Sequence, residues 1–200
     1  TNATRNRHAP EYELIDTGVF EEGRYFDVFV DYAKERPEEM LIRITAYNRG
    51  PAPAELHLLP TLWFRNTWAR GEQVAPVMRR VDGVGGSAVV VHATHPELGE
   101  RWLYAEGDPS LLFTDNETNR LRLWGHANPR PWVKDAFHRY LVGGETNAVN
   151  PENIGTKAAA HYRFEVAPGE SVTVRLRLSD RMPREYRGRV FGRPFDDVMS

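Results

Sequence analysis

The chain contains no cysteine. Disulfides, thiolate zinc sites and thiol nucleophiles are therefore excluded, and several enzyme classes with them. No apolar run approaches the roughly 20 residues that a membrane span needs, and the N-terminus is polar rather than a charged head followed by a greasy segment. A soluble, cytoplasmic protein is expected. Neither sign of charge is in excess: 26 Lys and Arg stand against 28 Asp and Glu, a formal net charge of −2. That balance supplies no basic field for phosphate backbones or anionic lipid, so neither nucleic acid nor membrane is an expected partner. Helical periodicity is scarce, and no segment repeats.

What is present is apolar side chain in quantity. Of 200 residues, 40% are hydrophobic, with 9 Phe, 8 Tyr and 5 Trp among them, enough for one continuous core and against wholesale disorder. The dominant pattern has period two. Phe26, Val28, Val30 and Tyr32 fall on one face of an extended segment, with Asp27 and Asp31 on the other. Met40, Ile42, Ile44 and Ala46 alternate with Arg43 and Thr45 up to the turn cluster Asn48-Arg49-Gly50-Pro51, predicting a second strand beside the first. Residues 54 to 68 read as one long bent strand with Leu56, Leu58, Leu62 and Phe64 on one face and Pro60 interrupting the ladder. Short β-branched or aromatic runs follow at 87–92, 101–106 and 111–114. Residues 157–166 and 172–178 alternate on either side of Ala167-Pro168-Gly169-Glu170 and read as a hairpin with one dry face.

Two helical connectors are predicted. Val133, Phe137, Tyr140 and Leu141 follow the i, i+4, i+7, i+8 rule, and Asn116 to Leu123 has room for one or two turns behind an Asn or Thr cap. The fold class is mainly β: an antiparallel sandwich of the supersandwich type over residues 12–180, preceded by a lead-in at 1–11. Residues 181–200 turn Arg-rich and apolar-poor and read as an exposed linker, in which Phe195, Val198 and Met199 begin a helical stripe.

Few constellations carry chemistry. His92 and His95 lack a third ligand, Gly83-Val84-Gly85-Gly86 falls short of a dinucleotide loop, and Asp115-Asn116-Glu117 lacks calcium-loop spacing. No metal and no cofactor is expected. Glycosidic cleavage needs two carboxylates about 5 to 9.5 Å apart. Asp16, Asp27, Asp31, Asp115, Glu117, Asp135 and Glu152 are candidates that spacing alone cannot pair. Trp63, Trp68, Trp102, Trp124 and Trp132 are candidates to stack on sugar rings or simply to fill the core.

Longer stretches carry a family likeness: Glu13 to Phe20, Arg24 to Lys34, His57 to Trp68, Phe113 to Asn119 and Asn150 to Tyr162. Together they resemble the N-terminal β-sandwich region of large bacterial glucosidases related to glycoside hydrolase family 63, the mannosyl-oligosaccharide glucosidase type. The resemblance covers nearly all of residues 11–180. It implies a noncatalytic sandwich that packs on a catalytic barrel of helical hairpins in the same polypeptide, with a glucose-containing saccharide as the substrate class and no catalytic residue in this chain. Residues 191–199 resemble the start of the helical linker toward that barrel.

Physical chemistry singles out the same stretches. Arg65, Asn66 and Trp68 are costly on a face that needs only to be dry, and Asn150, Asn153 and Lys157 sit in a Gly- and Pro-punctuated loop. With Asp115 and Glu117 they are the candidate interdomain or substrate-cleft residues. Two readings stand side by side: they face the barrel and its cleft, or they bond one another to fix long loops. An independent carbohydrate-binding module and a self-contained sugar hydrolase are the alternatives to the accessory domain.

Overall fold

The computed structural model describes residues 4–71, 74–82, 88–186 and 189–200. The period-two stretches form strands β1 (Phe26–Arg36), β2 (Glu39–Asn48), β3 (Ala54–Leu58), β4 (Thr61–Trp63), β5 (Val77–Val81), β6 (Ala88–His95), β7 (Gly99–Glu106), β8 (Ser110–Thr114), β9 (Ile154–Gly155), β10 (Lys157–Val166) and β11 (Ser171–Ser179). Four short helices join them: α1 (Arg120–Trp124), α2 (Ala136–Leu141), α3 (Pro183–Tyr186) and α4 (Arg193–Met199). The larger sheet runs in the order β1-β2-β11-β7-β6-β5-β9, and the smaller is built on β10. Every strand pairing among the described residues is antiparallel.

Between the sheets lies one apolar layer. Ile44 and Ala46 of β2, Val174 and Leu176 of β11, Leu103 of β7, Val91 of β6 and Met78 of β5 meet Leu58, Phe113, Ala158, Ala160 and Tyr162 of the smaller sheet. The predicted β1–β2 pairing forms, with Val28 opposite Ala46 and Val30 opposite Ile44. β1 nevertheless overhangs the smaller sheet, so Val28, Val30 and Tyr32 point to the core side yet stay 44 to 65% exposed.

Three expectations need correction. The segment 54–68 is not one strand: β3 and β4 keep a single register along β10, with Leu58 opposite Tyr162 and Thr61 opposite Ala159, but the ladder breaks at Pro60, which has no N–H to give. Its carbonyl still accepts the Ala160 N–H at 3.1 Å. Beyond Trp63 the chain leaves the sheet, so Arg65 is exposed and lies on no dry face.

Residues 157–178 are not a hairpin either. β10 lies in the smaller sheet and β11 in the larger, between β2 and β7, so the Pro168-Gly169 turn carries the chain across the core. Two amphipathic strands joined by a tight turn bury their dry faces equally well side by side or face to face, and period two does not distinguish the two arrangements.

The Arg-rich tail is also no exposed linker. Residues 182–186 and 190–195 lie across the outer face of the larger sheet, where Met182, Tyr186, Val190 and Phe191 cover Val90, Trp102 and Tyr104, and Phe195 is fully buried. A buried ion pair fastens them. Arg177 of β11 donates to Glu39 of β2 at 2.6 Å and to Glu35 at 2.7 Å. Tyr186 donates its hydroxyl to the same Glu39 carboxylate, and Arg36 reaches it at 2.9 Å. Rings of Tyr186 and Phe195 lie over the Arg177 guanidinium at 5.3 and 5.7 Å. The helical stripe expected from Phe195 to Met199 is α4, and α3 is the one α-helix among the described residues beyond those expected.

Burial by itself raises the Glu39 pKa, but hydrogen bonds from Tyr186, Arg177 and Arg36 reverse the shift and leave it below the ordinary 4.5. A depressed folded value means stability that is present above the ordinary range and lost as pH falls through the folded value. Arg177→Ala leaves Glu39 buried without its main cation, and we expect a loss of about 3–5 kcal/mol in urea denaturation at pH 7. The loss should shrink toward pH 3; a pH-independent loss would mean that packing, and not the pair, holds the tail.

Candidate functional site

Several candidate residues converge where β8 ends. Thr114 is buried, its hydroxyl donating to the Val133 carbonyl at 2.9 Å. The next N–H, of Asp115, reaches the Trp132 carbonyl at 3.3 Å, and that of Asn116 reaches the Thr156 hydroxyl at 2.7 Å. The 115–117 segment is thus clamped between the loop before α2 and the strand β9. β9 runs close enough over β8 that a Cβ on Gly155 would stand 2.3 Å from the Thr114 carbonyl oxygen, a contact that only glycine avoids.

Asn66 and Asn116 fix the opposite wall. The Asn66 amide donates to the Asn116 carbonyl at 2.8 Å, and the Asn116 amide donates to the Phe64 carbonyl at 2.9 Å. Asn66 Oδ1 accepts the Ala69 N–H at 3.0 Å at the start of the turn Trp68–Arg70, and Trp68 Nε1 donates to Glu117 Oε1 at 2.9 Å.

The result is a cleft of about 340 Å³. Trp68, Pro76, Pro129 and Ile154 supply apolar walls, and Asp115, Glu117, Arg130 and Thr156 supply polar groups. Asp115 is 4% exposed. Its carboxylate takes a backbone hydrogen bond from Thr156, and the nearest cation is Arg130 Nη1 at 3.8 Å, beyond hydrogen-bond distance. Burial pushes its pKa up; Arg130 and the Thr156 backbone pull it partly back, and the neighbouring Glu117 pushes it further up. A carboxyl held toward its neutral form beside a second carboxylate can both donate and accept hydrogen bonds.

A larger hollow of about 930 Å³ between α2 and the loop after α1 is chemically quieter. Arg139 is paired with Glu145 at 2.5 Å and Arg122 with Asp135 at 3.3 Å, and Arg130 is shared with the smaller cleft.

The remaining candidates serve the scaffold. Asn150 is buried, donating to the Ile154 carbonyl at 2.7 Å and accepting the Glu152 N–H at 3.0 Å, while Asn153 takes the left-handed turn position with φ 54°. Lys157 belongs to β10 rather than to the loop; its Nζ donates to the Lys134 carbonyl at 2.9 Å and lies 4.7 Å from the Phe137 ring centre, and burial lowers its pKa. Of the seven carboxylates considered, Asp16 accepts the Glu13 N–H, Asp27 and Asp31 pair with Arg49 and Arg43, Asp135 holds Asn119 and Arg122, and Glu152 is exposed. Only Asp115 and Glu117 share a cleft among the described residues.

Trp102 stacks on His92 at 4.9 Å in the sheet, whereas Trp63 and Trp124 are 56% and 59% exposed. His92 and His95 lie in β6; His95 Nδ1 accepts the Glu97 and Leu98 N–H groups. The glycines 83, 85 and 86 lie outside the described residues. Arg130 and Thr156 were not singled out by the sequence: they lie 15 and 41 positions from Asp115, and no short-range pattern links them to it.

No family model matches the sequence. The chain is similar to Uncharacterized protein YMR196W of Saccharomyces cerevisiae, with 36% identity over 211 aligned positions that take in 90% of this chain and 19% of the yeast protein. It spans about a fifth of the length of this curated relative. No helix among the described residues is long and apolar enough to cross a membrane.

Asp115 makes a stability prediction. Its folded pKa lies above the ordinary 3.8, so between those values the folded state holds a proton that the unfolded state has released. Stability declines as pH rises across that window, and the deficit is complete above the folded value. Asp115→Asn should therefore raise the calorimetric melting temperature at pH 7 by about 2–4 °C, with the gain vanishing below pH 3.8, where both states are protonated. A lower melting temperature at pH 7 would show that the charged carboxylate is a structural necessity.

Proposed function

We propose that the chain is the noncatalytic β-sandwich domain of a larger glycoside hydrolase of the family 63 type, working in the cytoplasm and holding a helical catalytic domain of the same polypeptide. The observation that carries this reading is the side of the smaller sheet bearing α1 and α2. There Trp63, Leu121, Leu123, Trp124 and Val142 are each more than half exposed. These residues belong to one side of the molecule: Trp63 lies opposite Lys157, Lys157 covers Phe137 of α2, and Asp135 before α2 binds Asn119 and Arg122 of α1. Apolar patches rimmed by charge are what an interdomain contact of about 600–1,500 Å² requires. The much greater length of the yeast relative supports a role as one domain among several. In this reading the hydrolysis runs on two carboxylates elsewhere in the polypeptide, and the sandwich contributes position rather than protons.

One observation favours a second reading, a self-contained hydrolase: Asp115 and Glu117 line the same cleft. Two measurements separate the two. The chain alone should hydrolyse no aryl glucoside above background, whereas turnover that disappears in Glu117→Gln establishes the second reading. A separately produced downstream helical domain should bind the chain, and Trp63→Ala with Trp124→Ala should weaken that binding by about 2 kcal/mol or more. Absence of association, or association indifferent to both substitutions, removes the docking role from this face.

A further inference from the structure

We propose that the cleft between Trp68 and Asp115 is a binding site for a single neutral sugar ring, built entirely from this chain and separate from the chemistry of any partner domain. It goes beyond the docking role, because the described residues that line it do not include the apolar docking face.

Three features select the ligand. The first is an acid buried beyond ordinary structural need. Asp115 is only 4% exposed and borders an open cleft, and its partners are one backbone hydrogen bond from Thr156 and the Arg130 guanidinium at 3.8 Å, fewer than a carboxylate can accept. A buried polar group normally has its hydrogen bonds satisfied, and one left facing a cavity is completed by what enters. The second is the indole. Trp68 is half-buried and its Nε1 is tied to Glu117 at 2.9 Å, so the ring plane is held in advance and costs little entropy on binding. A fixed aromatic wall beside prolines suits the apolar C–H face of a pyranose, while hydroxyl groups need acceptors and donors around the rim. Asp115, Glu117 and Arg130 are that rim.

The third feature is charge. A carboxylate or phosphate ligand would meet Glu117 and Asp115, and an ammonium would find both carboxylates already faced, Asp115 by Arg130 at 3.8 Å and Glu117 by Trp68 Nε1 at 2.9 Å. An anion is penalised and a cation gains little, whereas a neutral polyol uses the acceptors and the guanidinium together. Volume sets the size: about 340 Å³ is near the lower end of ligand pockets, which run from about 300 to 1,000 Å³, and so suits one ring rather than a chain.

The test uses the chain labelled with 5-fluorotryptophan and fluorine NMR. Methyl α-D-glucopyranoside, methyl α-D-mannopyranoside and methyl α-D-galactopyranoside are titrated, with glycerol and lysine methyl ester as controls. At least one glycoside should shift the Trp68 resonance saturably with a Kd of about 1–10 mM, an affinity ordinary for a single small ring. Asp115→Asn should weaken that binding tenfold or more while its melting temperature does not fall. Tyr32→Ala, on the far edge of the larger sheet, should bind as the parent does. The proposal is overturned if no glycoside saturates by about 100 mM, if Asp115→Asn binds unchanged, or if lysine methyl ester occupies the site as well as any sugar does. None of these outcomes bears on docking, which is read from the separate titration against a helical domain.

Discussion

A carboxylate with no exposure, Glu39, organises the larger sheet. Taken out of water alone it would be among the most costly groups in the molecule, so every neighbour that touches it is constrained. Arg177 must extend across the sheet from β11, Tyr186 must bring its hydroxyl down from the tail, and Arg36 must fold back from the end of β1. The end of β1, strand β11 and the tail are thereby fixed to one point. The tail that looks like a soluble linker by composition is held on the sheet, and its Tyr186 hydroxyl, Phe195 ring and Asp196 carboxylate, set against Glu39, Arg177 and Arg175, are the means of holding it. Once that outer face is covered, the surfaces left to other tasks are the β1 edge, the helix-bearing side and the cleft at the end of β8.

The cleft obeys the opposite logic. At Glu39 a buried acid is surrounded by donors and its pKa falls; at Asp115 a buried acid has a distant cation and one backbone donor, and its pKa rises. Folding holds both, but only the second borders an open cleft. The architecture around it is correspondingly rigid: the β8–β9 approach that admits only Gly155, the Asn66 amide on the Asn116 carbonyl, the Asn116 amide on the Phe64 carbonyl and the Trp68–Glu117 bond hold the walls without using the Asp115 carboxylate. Groups held ready in this way cost little further ordering when a ligand arrives.

Much of the fold was legible in the sequence. Period-two alternation located most strands, the Asn48 cluster located its turn, and the stripe from Val133 located α2, because burial of one face is a local demand that a strand or helix answers locally. What escaped was pairing. Whether β10 and β11 lie side by side or across the core, and whether Arg177 points to water or to Glu39, depends on partners more than a hundred residues away. The site was half legible for the same reason. Asn66, Trp68, Asp115 and Glu117 stand out as polar or aromatic groups in short runs, but Asn150, Asn153 and Lys157 looked alike and serve the scaffold. Arg130 reaches Asp115 only through the clamp that the loop before α2 makes on β8.

Two apolar surfaces remain, and their physics differs. On β1, Val28, Val30 and Tyr32 line one face while the other carries Asp27 and Asp31, each already paired with Arg49 and Arg43. Phe29 meets Tyr47 edge-on at 5.8 Å, and Lys34 and Arg36 end the strand with charge. An edge strand guarded in this way resists chance pairing with another sheet. The helix-bearing side has no such guard: α1 is a single turn that buries none of its residues, yet three of its five are Leu or Trp. A helix that buries nothing of its own gains little by carrying apolar side chains in water, so its sequence makes physical sense when another surface lies against it. That asymmetry is why the docking proposal belongs to α1 and Trp63 and not to the longer, equally apolar β1.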